Sequence, residues 1–185
     1  MTQRIHLRQA ISGDIPDLMA FDHDYSTDHV WQMALNRGSD EIGIVFRQVR
    51  LPRPMRVRYP RPAERLSDEW TRKAALLVAE GDGERLGYLA LAQAPAHQAG
   101  WISDLVVSSR HRRQGIATAL IGTARAWCRE RGAESLFLEM QSKNFPAINL
   151  ARKLGFSFAG YSDQYFPEQD IALFFRLGIR ERSES

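Results

Sequence analysis

The sequence predicts an α/β (α+β) domain built on a mixed central sheet, and three observations predict it. Residues 101–141 read strand, basic glycine turn, helix, strand, which is a βαβ unit with a right-handed crossover. Gly81-Asp82-Gly83 separates AALLVAE from RLGYLALAQ, a hairpin by its turn chemistry. A helical segment after Pro146 is followed by two closing strands, FSFAGYS and DIALFFRL, with neither an internal repeat nor a low-complexity tail. At 185 residues, 44% apolar and 25% charged, the chain is expected to form one domain over 1–185 with a real core.

Each element follows from its local pattern. RIHLRQA, residues 4–10, alternates like a strand. Asp14 is expected to cap a short helix through about Phe21, with Pro16 tolerated in its first turn. The acidic and aromatic segment DHDYSTDHVWQMAL, Asp22 to Leu35, is expected to be half helical. Glu41 to Val49 reads as a strand. It runs into RQVRLPRPMRVRYPRPAER, whose seven arginines and four prolines predict an extended or looping insertion. The whole variable region spans about 22–72.

The later signals are sharper. WISDLVVSS is apolar enough for a central strand. Ile116, Leu120, Ala124, Trp127 and Cys128 recur at helical spacing, and Gly132 stops that helix. In SLFLEMQ, Leu136, Leu138 and Met140 share one face and Phe137, Glu139 and Gln141 the other. Pro146 opens the next helix and Gly155 ends it.

Composition narrows the function classes. No stretch reaches the ~20 apolar residues a membrane span needs, so no membrane partner is expected. MTQRIHLRQAISGD lacks an apolar signal core, and Cys128 is the only cysteine, so a reducing cytoplasm is the expected location. The net charge of +3 does not suit a nucleic-acid binder. The five histidines show no metal spacing, since His23 and His29 lie six apart, and no metal is assigned.

The basic run RHRRQGIAT, residues 110–118, sits where an amphipathic helix begins. A helix N-terminus collects unpaired N–H groups and partial positive charge, which together favour phosphate. Gly115 has no Cβ to hold a ligand off the main chain, and Arg110, Arg112 and Arg113 can add charge-assisted hydrogen bonds. Both the lysine of a P-loop and a G-x-G-x-x-G are missing, so this is a pyrophosphate cradle of another kind.

With these residues the chain resembles the GNAT superfamily of acyl-CoA-dependent N-acyltransferases. The superfamily's central motif stands as Arg112-Arg113-Gln114-Gly115-Ile116-Ala117, preceded by Val106-Val107. NFPAINLARKLGF then supplies Asn144, Ala147, Gly155 and Phe156 in the expected order. The resemblance covers roughly residues 75–176, and within it the layout is most similar to streptothricin acetyltransferases. It implies a GNAT fold, a sheet flanked by helices and splayed between two parallel strands, with acetyl-CoA in the gap. The backbone of Arg113, Gln114, Gly115, Ile116 and Ala117 would hold the pyrophosphate, with Arg112 beside it. The main chain of Leu105, Val106 and Val107 would pair with the pantetheine arm, and Asn144 and Ala147 would line its far side.

Amine attack on a thioester needs a proton acceptor and is helped by an acid for the thiolate. Glu139 matches the catalytic glutamate of related N-terminal acetyltransferases; the alternative is a carboxylate paired with a neighbouring arginine. Asp104 is the second candidate base, or else it faces the helix side or binds backbone. The usual acid, a tyrosine four residues before Gly155, is Ala151 here. Tyr165 or Tyr161 would substitute, unless they only pack, and Tyr165 is the choice. Cys128, on an apolar helix face, is expected to be inert core and not an acyl carrier. Asp22, Asp24, Asp28, Tyr25 and Trp31 suit a cationic amine, with Asp28 and Trp31 as acceptor residues; the alternative is an ordinary acidic face. The expected activity is acetyl transfer to a small-molecule or peptide amine, such as an aminated antibiotic, by a monomer or homodimer. The rivals are protein N-terminal or lysine acetylation, a non-catalytic CoA-binding module, and an RNA-associated protein using the arginine insertion.

Overall fold

The computed structural model describes residues 5–92 and 98–179, so Arg4 and Gln93, at the ends of two predicted strands, lie outside the described residues. The elements run β1 (His6–Gln9), α1 (Ile15–Met19), β2 (Tyr25–Arg37), β3 (Ile42–Val57), α2 (Arg65–Glu69), β4 (Ala75–Gly81) and β5 (Glu84–Ala92). They continue with β6 (Ala99–Val107), α3 (Ile116–Glu130), β7 (Ser135–Gln141), α4 (Phe145–Lys153), β8 (Ser157–Ser162) and β9 (Ala172–Gly178). Seven strands form one mixed sheet in the order β1-β4-β5-β6-β7-β9-β8, and β2 and β3 form a separate ribbon. Only β6 and β7 pair in parallel within the large sheet. No helix among the described residues is long and apolar enough to cross a membrane.

The hairpin between β4 and β5 turns on Asp82 and Gly83, with φ of 50° and 82°, the twist that a two-residue connection requires. Two packed layers cover the sheet. On one face Leu136, Leu138, Met140, Leu173 and Phe175 meet Ile116, Leu120, Ala124 and Cys128 of α3 and Ile148 and Ala151 of α4. On the other, Leu76, Val78, Tyr88, Ala90 and Val106 meet Ile15 and Leu18 of α1 and Leu66 of α2.

Two expectations need correction. Asp14 precedes α1, but its carboxylate caps no helical N–H. It is wholly buried and accepts from Arg8 at 2.7 and 2.9 Å and from Ile11 N at 2.9 Å, with Arg85 beside it. The bond from Arg8 holds its carboxyl well below the usual carboxylate range. Residues 22–35 are not half helical, since β2 occupies most of them and pairs residue by residue with β3 from His29↔Arg50 to Arg37↔Ile42. Met33, Ala34 and Leu35 are good helix formers, but intrinsic propensity is a weak preference that a long partner strand overrides. The predicted insertion is extended as far as Val57. Its register jumps between His29↔Arg50 and Thr27↔Met55, which leaves Pro52 and Pro54 in a bulge where no ladder N–H is needed.

Candidate active site

The β6–β7 ladder runs only from Ala99↔Ser135 to Ile102↔Leu138, although β6 continues to Val107 and β7 to Gln141. The two strands therefore part after Ile102 and Leu138. The facing edges of 103–107 and 139–141 carry backbone groups with no partner across the gap. Leu105, Val106 and Val107 pair on their other edge with Leu89, Tyr88 and Gly87 of β5, which fixes their position.

At the open end of the gap stands the basic turn. Gly115 is the N-cap of α3 with φ 85° and ψ −2°, and Arg113 is also left-handed at φ 66°. Such alternation points successive N–H groups toward one concave side, next to the unpaired N–H groups of the first helical turn. A Cβ on Gly115 would meet no protein atom within 4 Å, so the space in front of this backbone is open. The Arg112 side chain does something other than face that space. It donates to Val107 O at 3.1 Å, Asp22 O at 2.7 Å and Asp24 O at 2.9 Å, tying the loop before β2 to the end of β6. Asn144 caps α4, accepting from Ala147 N at 3.1 Å, so this pair fixes the helix start on the far side of the gap.

On the sheet face away from α3 and α4, two buried carboxylates flank the splay, Asp104 on β6 and Glu139 on β7. Glu139 Oε2 accepts from Trp101 Nε1 at 2.7 Å and from Tyr165 Oη at 3.1 Å, while its Oε1 takes the Arg61 guanidinium. Asp104 accepts from Tyr59 Oη at 3.0 Å and Ser103 Oγ at 2.8 Å. Lys73 Nζ lies 3.7 Å and Arg61 Nη1 3.5 Å from it. Arg61 also donates to Ser103 O at 2.8 Å and rests over the Phe166 ring at 5.3 Å, so one side chain bridges both lips of the gap. Burial works against the Arg61 charge, but Asp104 and Glu139 more than offset that and hold it protonated. Burial and then the Glu139 charge push the Tyr165 hydroxyl above its ordinary value, so it stays a donor at neutral pH.

The two residues chosen from the sequence as catalytic, Glu139 and Tyr165, are thus in contact. Tyr161 instead packs on Phe46 with ring centroids 5.4 Å apart, and Ala151 is wholly buried in the α4 core. Cys128 is buried on the opposite face, where a Cβ on Gly100 would come within 2.3 Å of its Sγ, and burial pushes its thiol up to about 11. Asp28 and Trp31 are not brought to the carboxylates. Asp28 is exposed and bonds His29 at 2.8 Å. Trp31 packs on Phe175 and Phe158 on the α4 side of the sheet. Arg61, Tyr59, Lys73 and Trp101 were not singled out in the sequence. The one local signal for Arg61 is its flanking by Pro60 and Pro62, which stiffen the segment that delivers it.

Residues 46–156 match the Acetyltransferase (GNAT) family. The chain belongs to that family. This GNAT acetyltransferase is 30% identical over 158 residues to the streptothricin acetyltransferase of Streptomyces lavendulae, covering 83% of this chain and 82% of the relative. Its fold superposes on the crystal structure of nourseothricin acetyltransferase with a TM-score of 0.79 at 26% identity, over 95% of this chain and 99% of the other. A Bacillus anthracis protein solved in complex with acetyl coenzyme A shares the fold, with a TM-score of 0.73 at 18% identity over 95% of this chain and 99% of that one. The acyl donor of the family is acetyl-CoA. The open cradle before Gly115 and the unpaired edges of the β6–β7 gap fit its pyrophosphate and its amide-bearing arm.

Proposed function

We propose that this acetyltransferase moves the acetyl group of acetyl-CoA directly to a primary amine of a cationic small molecule, with Glu139 and Tyr165 handling the protons. The observation that carries the proposal is the hydrogen bond between these two side chains beside the splay. The backbone of Arg113 to Ala117 binds the pyrophosphate, and Leu105, Val106 and Val107 align the thioester from one lip, with Asn144 and Ala147 at the other. Acetyl-CoA supplies the activated acyl group. The amine lone pair attacks the thioester carbon and the C–S bond breaks with its electrons going to sulfur. Glu139, held in place by Arg61 and Trp101, accepts the proton the amine loses, through a water. Tyr165 gives its O–H proton to the departing sulfur and recovers it from Glu139 across their shared bond, so the protons balance within the site.

Asp104 and Glu139 put two buried carboxylates beside the splay, where Arg61 and Lys73 balance their charge. The similarity to a streptothricin acetyltransferase supports the same acceptor class. Direct attack is favoured because Cys128, the single cysteine, lies buried behind the sheet with its thiol protonated. Steady-state kinetics test the proposal. Tyr165→Phe lowers kcat by about tenfold or more without moving the acetyl-CoA KM, within the usual range for general acid catalysis. Glu139→Gln lowers kcat/KM for the amine and leaves the acetyl-CoA KM unchanged. A Tyr165→Phe variant indistinguishable from the parent removes tyrosine from the mechanism.

A further inference from the structure

Tyr165 is 46% exposed, and its ring packs edge to face on Phe166 and Phe174, with centroids 5.0 and 5.7 Å away. Half of the ring therefore has no packing to hold it. The placement of its hydroxyl falls to the backbone of the loop between β8 and β9, residues 163–171. Three non-glycine residues of that loop, Gln164, Glu168 and Gln169, are left-handed at φ 51°, 65° and 58°. Backbone of that kind persists only where its surroundings hold it. Asp170 provides the hold. Its carbonyl oxygen accepts from the N–H groups of both Tyr165 and Phe166 at 3.1 Å.

Asp170 is itself anchored from β7. Its carboxylate accepts from Gln141 Nε2 at 2.8 Å and pairs with Lys143. Gln141 Oε1 in turn accepts from Tyr25 Oη at 2.9 Å, and Nε2 also faces Arg58 O at 3.4 Å. Tyr25, Gln141 and Asp170 are all buried. A carboxylate only accepts, so one orientation of the Gln141 amide serves both neighbours. Burial, and then the Asp170 and Asp24 charges, push the Tyr25 hydroxyl well above its ordinary value and keep it a donor. Strand register fixes who meets whom. Glu139 pairs with Phe174 and Gln141 with Ala172, and Ser142 N donates to Ile171 O at 2.9 Å, which brings Asp170 alongside. Alternate side chains of a strand share a face, so β7 turns Glu139 toward the Tyr165 hydroxyl and Gln141 toward the anchor of the Tyr165 backbone. One strand sets both ends of that contact.

We propose that Gln141 and Asp170 are positioning residues, a buried clamp that holds the 163–171 loop so that the Tyr165 hydroxyl stays on Glu139; its effect on turnover rests on Tyr165 acting as the acid. Carbon-13 NMR of the full chain labelled at tyrosine Cζ tests it, with the Tyr165 signal assigned by its loss in Tyr165→Phe. In the parent, burial and Glu139 hold the Tyr165 titration above the ordinary value of about 10, against the lesser pull of Arg61. Asp170→Ala, and Gln141→Glu, which sets a second carboxylate against Asp170, should each move it down toward that value. Each should also lower kcat about tenfold with the acetyl-CoA KM unmoved. The two variants change the local charge in opposite senses, so electrostatics alone would shift the titration in opposite directions. Gln141→Glu with Asp170→Asn reverses donor and acceptor while Tyr25 still donates to position 141, and should restore both readouts. Asp170→Ala added to Tyr165→Phe should cost no more than about twofold further in kcat, since a missing hydroxyl needs no placement. An unmoved titration in the single variants, or one left shifted in Gln141→Glu with Asp170→Asn, overturns the inference. Should Asp170→Ala not fold, Gln141→Glu and its rescue decide by the same titration. A titration that shifts and recovers while kcat stays parental throughout, in Tyr165→Phe as well, supports the clamp and removes the acid role instead.

Discussion

Replacing Arg61 by methionine removes a side chain that spans both lips of the splay while keeping most of its apolar bulk. The Glu139 side chain is 1% exposed and that of Asp104 8%, so neither carboxylate can recover its solvation from bulk water. Removing one partner of a buried ion pair costs about 3–5 kcal/mol, because the remaining charge is left uncompensated. Here Trp101 and Tyr165 still donate to Glu139, and Tyr59, Ser103 and Lys73 still face Asp104, which places the cost near 3 kcal/mol. For a chain of 185 residues this lowers Tm by roughly 6–12 °C. Thermal unfolding followed by circular dichroism reads the shift. A double-mutant cycle with Glu139→Gln isolates the pair, and coupling of at least about 1 kcal/mol is expected. An Arg61→Met variant melting within about 2 °C of the parent, or a cycle without coupling, would refute the bridge.

Gly115→Val should abolish CoA binding by calorimetry while the protein still folds. At φ 85° a β-branched residue is strained by roughly 1–2 kcal/mol, its side chain enters the open cradle, and it strikes no protein atom. A folded variant with unchanged CoA affinity contradicts the cradle. Asp14 predicts a pH dependence: its folded carboxyl is held below the ordinary value of about 3.9, so its contribution is present above that pH and is lost as pH falls through the lower folded value. Asp14→Asn should therefore lose stability near neutrality and show a flatter acid limb in urea titrations. Equal acid limbs would remove Asp14 from the account. Asp104→Asn should raise the acceptor KM and leave the acetyl-CoA KM alone, whereas Asp28→Asn should move neither.

The βαβ unit was legible because its signals are local. Period 2 in SLFLEMQ, period 3.6 from Ile116 and the left-handed Gly115 each depend on a few neighbouring residues. The contact of Glu139 with Tyr165 was legible only as two separate candidates, since β9 intervenes between β7 and β8 and closes the distance through long-range pairing. β2 was misread because its helix-prone Met33-Ala34-Leu35 is decided by a partner strand beginning beyond a four-residue connection. That same pairing carries Trp31 away from the acidic residues beside it in sequence and onto Phe175. Arg61 could not be distinguished from the six other arginines of its run, because which of them reaches inward depends on where the chain turns after Val57.

The central claim is acetyl transfer to a cationic small-molecule amine, and turnover itself tests it most directly. The measurement is CoA release from acetyl-CoA by the full chain against a panel of streptothricin-type and aminoglycoside antibiotics, polyamines and peptides with free N-termini or lysines. The account predicts saturable turnover with at least one cationic small-molecule amine, acetylated on nitrogen by mass spectrometry, and little with the peptides. Efficient acetylation of peptides alone, or an acetyl group found on Cys128, would contradict it.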